Sequence, residues 1–484
     1  MTAGATPEGA SLPGIRVWLG RLLTDLHNGR SCLWLLPRSM LKESGNRADR
    51  LLDDVLHELA DFVLLPSDES PAPASARSLA PAAPPARGRW SGLAPVPDFD
   101  DGLPDVPAAR GPEAYASRLA APLGPAEALA GMLERLAKEL GFSSGTDTVG
   151  SDPTGDVLAR LTGRGTGTAE TRPVVVRAWR EPVPSAAAHL LRRLVATTKE
   201  AGLPPDRRPR ALVVASTEDL PTGLPDQLPR EDITVHWWWG ATSRLDTATV
   251  VTLARPPLAS PTDRGHLHEA VTQATITEVC GPFLDIAAAL ASRWDDGRPE
   301  GLTAALHDVI AKLPGPAAIP PQRTEGTRHP GRRPDDSMLA AWNANTVESW
   351  DGRLRRHPGY DLVQEQAVAA RVWLAQNHVL LPLLDDARDQ FTATIRLRAR
   401  VPLARLAQDY GPRRESGTAP EPADSAVAMM ELGAMWSAHC DGAIALIPAE
   451  RRRLRILREA RNLLAHRVPL DDDRLRRLVE ELCR

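Results

Sequence analysis

Residues 15–29 carry apolar side chains at helical spacing and stop at Asn28-Gly29, which predicts a helix with a glycine end. Ser31 to Leu36 is an unbroken apolar run closed by Pro37, the pattern of a strand covered on both faces. Residues 47–60 return to the helical period, and 61–66 form a second apolar run. Strand, helix and strand in succession predict a βαβ unit. Further strands are expected at 173–179, 210–215 and 233–239. Helices are expected over 114–141, 157–161, 185–201 and 265–295, the last broken at Gly281-Pro282, while 243–254 fits either state. Such alternation implies a mainly parallel sheet covered by helices on both faces.

Three stretches interrupt the pattern. Residues 67–113, rich in Pro, Ala, Ser and Arg, read as an exposed or disordered insertion, and 143–172 as a largely irregular loop. Residues 313–336 are Pro-rich with no apolar period, which predicts a linker. Beyond it, 338–350, 361–398 and 425–484 are helical in period and no strand is predicted. The expected fold class is therefore α/β plus all-α. A three-layer parallel-sheet domain spans 1–312, and a helical bundle spans 337–484.

Composition narrows the class. The 484 residues hold 62 acidic and 58 basic side chains, a net charge of −4, which argues against a chain coated by polyanions along its whole surface. Only Lys42, Lys138, Lys199 and Lys312 are lysines, an arginine bias first read as the codon usage of a GC-rich bacterial genome. Cys32, Cys280, Cys440 and Cys483 are widely separated and show no zinc or disulfide spacing. Dispersed thiols fit a reducing cytosol. Met1 to Pro13 has no basic start and no apolar stretch, and no long apolar run follows, so a cytoplasmic protein without a membrane span is expected. Paired acids such as Asp53-Asp54, Asp295-Asp296 and Asp385-Asp386 fall in polar faces or turns, so no metal and no cofactor is expected.

The sharpest local signal is the predicted helix 449–466, AERRRLRILREARNLLAH. Leu454, Leu457, Arg461, Leu464 and Ala465 share one broad face. Arg461 and His466 stand about 140° apart around the axis, so they flank a groove without stacking. Arg461-Asn462-Leu463-Leu464-Ala465-His466 resembles the Arg-x(4–6)-His motif of the HEPN superfamily, including the polar residue after the arginine and a proline, Pro469, soon after the histidine. The resemblance covers roughly 338–484. It implies metal-independent RNA cleavage by a homodimer joined through the C-terminal bundle, with the two motif helices forming one composite site. On that reading His466 moves the proton of a 2′-hydroxyl. Arg461 stabilises the pentavalent phosphate with a planar fork. Asn462 orients the arginine or a phosphate oxygen. Arg451, Arg452, Arg455 and Arg458, with Arg453, would follow an RNA backbone. The plainer reading makes Arg461 and His466 cations at a helix end, and the arginine run a solvated face paired with Glu450 and Glu459.

In the first half, a βαβ start invites a phosphate-binding reading, but the loop after the first strand, Pro37 to Gly45, lacks GxxxxGK[ST]. The runs Leu212-Val213-Val214-Ala215-Ser216 and Val174-Val175-Val176-Arg177 end in no acid, so a Walker B signature is also missing. Element order and the phrases RALVVAS and ITVHWWWG are similar to STAND-type NTPase domains of bacterial conflict systems, in a P-loop-like form whose nucleotide site is degenerate. The resemblance implies a domain that senses or scaffolds, and protein partners from a defence operon. Trp237, Trp238 and Trp239 read either as a base-stacking platform or as a strand buried on both faces. His27, His57 and His236 read as structural. Three functions stay open: an RNA-cleaving effector, a non-catalytic adaptor, and an ATPase with a diverged loop.

Overall fold

The computed structural model describes residues 12–42, 47–67, 124–142, 153–164, 167–257, 262–294, 297–312, 331–362, 364–412 and 422–484. All but the first residue of the insertion expected at 67–113, and most of the linker expected at 313–336, lie outside these residues.

Five strands form one parallel sheet: β1 (Ser31–Leu35), β2 (Val63–Leu64), β3 (Val174–Arg177), β4 (Ala211–Ala215) and β5 (Ile233–Trp237), in the order β2-β3-β4-β1-β5. Val63 pairs with Val174, and Val174 with Ala211, all in parallel register. β1 and β4 are buried at every position, as their unbroken apolar runs require. The expected strand, helix and strand form, with Arg47–Leu59 connecting two parallel strands of the same sheet. The crossover is wide, however, since β3 and β4 lie between β1 and β2. Local periodicity reveals that a segment is a strand and carries no information on its partner.

The chain packs as two compact units. One comprises 25–34 and 61–235, with most of the sheet and the helices Pro125–Glu139, Pro153–Leu161 and Ser185–Glu200. Ion pairs brace it: Arg135 to Glu181 at 2.5 Å, and both guanidinium arms of Arg192 on Glu231 at 2.5 and 2.7 Å. The other unit comprises 1–24, 35–60 and 236–484. It groups 236–312 with the C-terminal helices, whereas the sequence reading divides the chain at 313–336.

In this second unit the helix Asp263–Cys280 ends at Gly281 (φ 56°), where the break was expected, and Leu284–Arg293 follows. Residues 243–254 resolve as the helix Arg244–Ala254, started by Ser243, which caps the amide of Asp246 while Asp246 returns a bond to the amide of Ser243. The 34-residue helix Glu365–Arg398 packs along Asp263–Cys280 and on Pro448–Ala465. Its core side is lined by Leu380, Leu384, Phe391 and Ile395, and the last helices add Leu454, Leu457, Leu464, Leu475 and Leu478. Its Gln366–Arg398 portion contains an 18-residue stretch apolar enough to cross a membrane by length and composition, and a third of that stretch is buried inside the protein.

The strand-free C-terminal third is also corrected. Residues after 337 include an antiparallel hairpin, β6 (Val347–Trp350) and β7 (Arg353–Arg356), closed by Asp351 (φ 48°) and Gly352 (φ 74°). Two successive left-handed residues make the tight turn whose twist matches a hairpin.

Candidate functional site

The motif helix runs Pro448–Ala465. Leu454, Leu457, Ala460 and Leu464 are buried on its inner face. Arg461 is half-buried beside them, and Asn462 and His466 are exposed. The helix ends one residue before the histidine. His466 sits at the C-cap (φ −88°, ψ 11°), and Arg467 turns left-handed (φ 60°). The amide of Val468 donates to Leu463 O at 2.9 Å and that of Arg467 to Leu464 O at 3.2 Å, the two bonds that close a helix in a Schellman turn. Glycine is the usual left-handed residue of this turn. An arginine there carries backbone strain, which neighbouring contacts must hold.

Those contacts come from the long helix. The indole N–H of Trp373 donates to Leu464 O at 2.6 Å, and the guanidinium of Arg467 lies 5.7 Å from the centre of the same ring. Three residues on, the buried amide of Gln376 forms a reciprocal pair with Leu470. Its Nε2 donates to Leu470 O at 2.9 Å, and its Oε1 accepts from Leu470 N at 2.7 Å. The chain on both sides of His466 is thus clamped to one helix, and the histidine is carried on the fixed turn between. Among the described residues the side chains of Arg461, Asn462 and His466 have no hydrogen-bond or ion-pair partner. A partnerless cation and an exposed imidazole at a rigid helix end can meet an anionic ligand without first breaking an internal contact.

The arginine run divides. Arg451 and Arg455 are exposed. Arg452 is 4.0 Å from Glu481, and the guanidinium of Arg458 lies 5.5 Å from the ring centre of Trp436. The pairing with Glu450 and Glu459 does not form. Glu450 is held by Arg398 at 3.0 Å and Glu459 by Arg474 at 3.0 Å, both from other helices. The acids adjacent in sequence are therefore neutralised from elsewhere, which leaves Arg451 and Arg455 free of ion pairs among the described residues.

The position that would hold a phosphate loop is built differently. Arg38–Lys42 is a short helix after β1. The amide of Arg38 donates to Asn343 Oδ1 at 3.2 Å and that of Met40 to Pro37 O at 3.0 Å. Beside them a cavity of about 80 Å³ is lined by Pro37, Met40, Arg47, Trp238, Glu348 and His357, among others. That is well below the roughly 300 Å³ at which small-molecule sites begin. Glu348 accepts from Gly240 N (2.8 Å), Ser349 N (2.9 Å) and Trp342 Nε1 (3.1 Å). Burial nevertheless pushes its carboxyl up to about 8. His357, pushed down to about 4 by burial, accepts from the amide of Gly359 through Nδ1. Both groups are tied to backbone.

Trp237, Trp238 and Trp239 are all buried, which leaves no open face for base stacking; only Trp237 lies in β5, whose central residues are half-buried, and Trp238 and Trp239 follow the strand into a turn. They pack with Trp18 and Trp342. Trp18 meets Trp238 edge-on at 4.9 Å, and Trp342 lies 5.9 Å from Trp237. Among the described residues no cluster of His, Cys, Asp and Glu could hold a metal. The four cysteines are unpaired. Burial raises the thiols of Cys32 and Cys280 far above the usual range, which makes them inert packing groups. Comparison with protein-family models, curated proteins and solved structures gave no match.

Proposed function

We propose that the chain is a cytoplasmic effector or regulator of a bacterial defence system, whose HEPN-like C-terminal helices cleave RNA without a metal, as a homodimer. The observation that carries this reading is the end of the motif helix. Arg461 and Asn462 in its last turn and His466 on the clamped turn that follows have unengaged side chains, and the same helix carries the exposed Arg451 and Arg455. In the proposed reaction His466 takes the proton of an RNA 2′-hydroxyl as its oxygen attacks the adjacent phosphorus. The P–O5′ bond breaks, and the products are a 2′,3′-cyclic phosphate and a 5′-hydroxyl, the latter protonated by the partner motif's imidazole or by water. Arg461 neutralises the charge building on the phosphorane oxygens.

The sheet-bearing first half, STAND-like in element order, acts in this proposal as a sensing or scaffolding part. The support is the small cavity after β1, with two nearby amides engaged inside the protein, which weighs against nucleotide hydrolysis. It also favours the second reading, an adaptor in which both halves bind proteins.

The test is cleavage of total RNA in EDTA by wild type, His466→Ala and Arg461→Ala. A loss of at least about a hundredfold in each variant, at unchanged oligomeric mass, is expected. Cleavage that persists in both variants removes the motif from the chemistry. Absence of cleavage by a dimeric wild type favours the adaptor.

A further inference from the structure

Away from the motif, a cleft of about 530 Å³ opens between β6–β7, the start of Arg244–Ala254, the end of Asp263–Cys280 and the long helix. Its size falls in the roughly 300–1,000 Å³ range of small-molecule sites. The sequence spacing explains its charge. Arg353 and Arg355 alternate along β7 and so share a face, and Arg353 lies opposite Trp350 in the hairpin. Arg371 and His378 are seven residues apart on the long helix, again one face. Arg244 enters from the first turn of its own helix.

These cations are under-neutralised. Glu278, fully buried, pairs with Arg244 and lies 3.7 Å from Arg355. Asp361 is shared between Arg356 at 3.4 Å and Arg371 at 3.7 Å. Asp351 Oδ1 accepts only from the amide of Arg244 at 3.3 Å, and Arg353 has no ion pair among the described residues. Four guanidiniums, those of Arg244, Arg353, Arg355 and Arg371, thus line the cleft with two carboxylates, Glu278 and Asp351. His378 adds no charge. A guanidinium can only donate, so His378 Nδ1, 3.1 Å from Arg244 Nη1, is the acceptor, and burial together with Arg244 and Arg353 lowers its proton affinity. Trp350 is wedged between Arg244 and Arg355, at 5.4 and 4.7 Å from its ring centre, and its buried indole N–H has no acceptor among the described residues. A buried donor without an acceptor costs free energy unless something fills the role.

We infer that this cleft is a binding site for a small phosphate-bearing dianion of up to mononucleotide size, gripped by Arg353, Arg371 and Arg244. The excess of two positive charges matches a dianion. Planar guanidinium forks suit phosphate oxygens, and the concave shape favours a compact ligand over a polymer. Desolvation supports the assignment. Burial disfavours the charged forms of Arg355, lowered to about 9, and of Arg371, and an anion in the cleft would offset that cost. The inference is independent of RNA cleavage.

The test is isothermal titration of the full chain at low ionic strength with inorganic pyrophosphate and with AMP. Expected is one site per chain for at least one probe. Arg353→Gln and Arg371→Gln should each weaken it about tenfold or more, and Arg405→Gln, a distant exposed arginine, should leave it unchanged. Arg353 is exposed, so its replacement leaves the fold intact, and circular dichroism checks this for both variants. Binding of neither probe at millimolar concentration overturns the inference. So does binding that is equally strong in both cleft variants. AMP binding without pyrophosphate binding assigns the site to nucleoside monophosphates, and the reverse assigns it to inorganic phosphates.

Discussion

Replacing Gln376 by leucine tests whether the clamp behind His466 is structural in the way the geometry implies. The wild-type amide satisfies both the N–H and the C=O of Leu470, at 2.7 and 2.9 Å, in a fully buried setting. Leucine fills a similar volume and satisfies neither. Each of the two orphaned backbone groups costs about 1–3 kcal/mol, and the added apolar burial returns about 1 kcal/mol, for a net loss of about 1–5 kcal/mol. Hydrogen exchange reads this locally. The Leu470 amide should lose protection by about fivefold or more, and Val468 should follow, because its turn bond to Leu463 lies just upstream. Gln376→Glu adds an internal control. As a carboxylate it repels Leu470 O; once protonated it can donate to that oxygen again. Burial and repulsion raise its folded-state proton affinity, so its stability should recover as the pH falls. A Gln376→Leu protein that loses less than about 1 kcal/mol, with Leu470 protection unchanged, would refute the clamp.

Two further outcomes follow from single residues. Glu348, raised from an ordinary 4.5 to about 8, keeps its proton in the folded state where the unfolded chain releases it. Its contribution is full below about 4.5 and is lost as pH rises to about 8, on the order of 4 kcal/mol in total. Melting temperatures of wild type and Glu348→Gln should therefore diverge between pH 5 and pH 8.5, with only wild type falling steeply, and parallel profiles would count against it. At Gly14, a methyl group would lie 2.2 Å from Asp246 Oδ2 and break the 2.7 Å bond from Gly14 N to Oδ1. Gly14→Ala should cost about 2–4 kcal/mol in urea unfolding, and a loss under about 0.5 kcal/mol would mean that the first helix shifts freely.

The hairpin shows where a local signal existed and was outweighed. Asp351-Gly352 between VESW and RLRR has the residues of a tight hairpin turn, but strands of four residues with three arginines in one give too little apolar alternation to register. The triple tryptophan shows the opposite limit. An apolar run predicts burial, and all three rings are buried, but their partners Trp18 and Trp342 come from segments more than a hundred residues away on either side. The arginine run adds a third case. Its neighbouring acids suggested a self-paired face, yet Glu450 and Glu459 are held by Arg398 and Arg474, which only the packing of other helices supplies.

What the amino-acid order determined unaided is whatever rests on neighbours within a few turns. That includes the strand cores β1 and β4, the break at Gly281, and the end of the motif helix at Ala465-His466 before Pro469. These depend on φ/ψ preference and apolar period, both local properties. The tertiary structure alone decided the order β2-β3-β4-β1-β5, the clamp of Trp373 and Gln376 on the motif's end, and the gathering of Arg244, Arg353 and Arg371 around one cleft. Each joins residues distant along the chain, and their encounter is set by how buried faces fit together, which no window of the sequence contains.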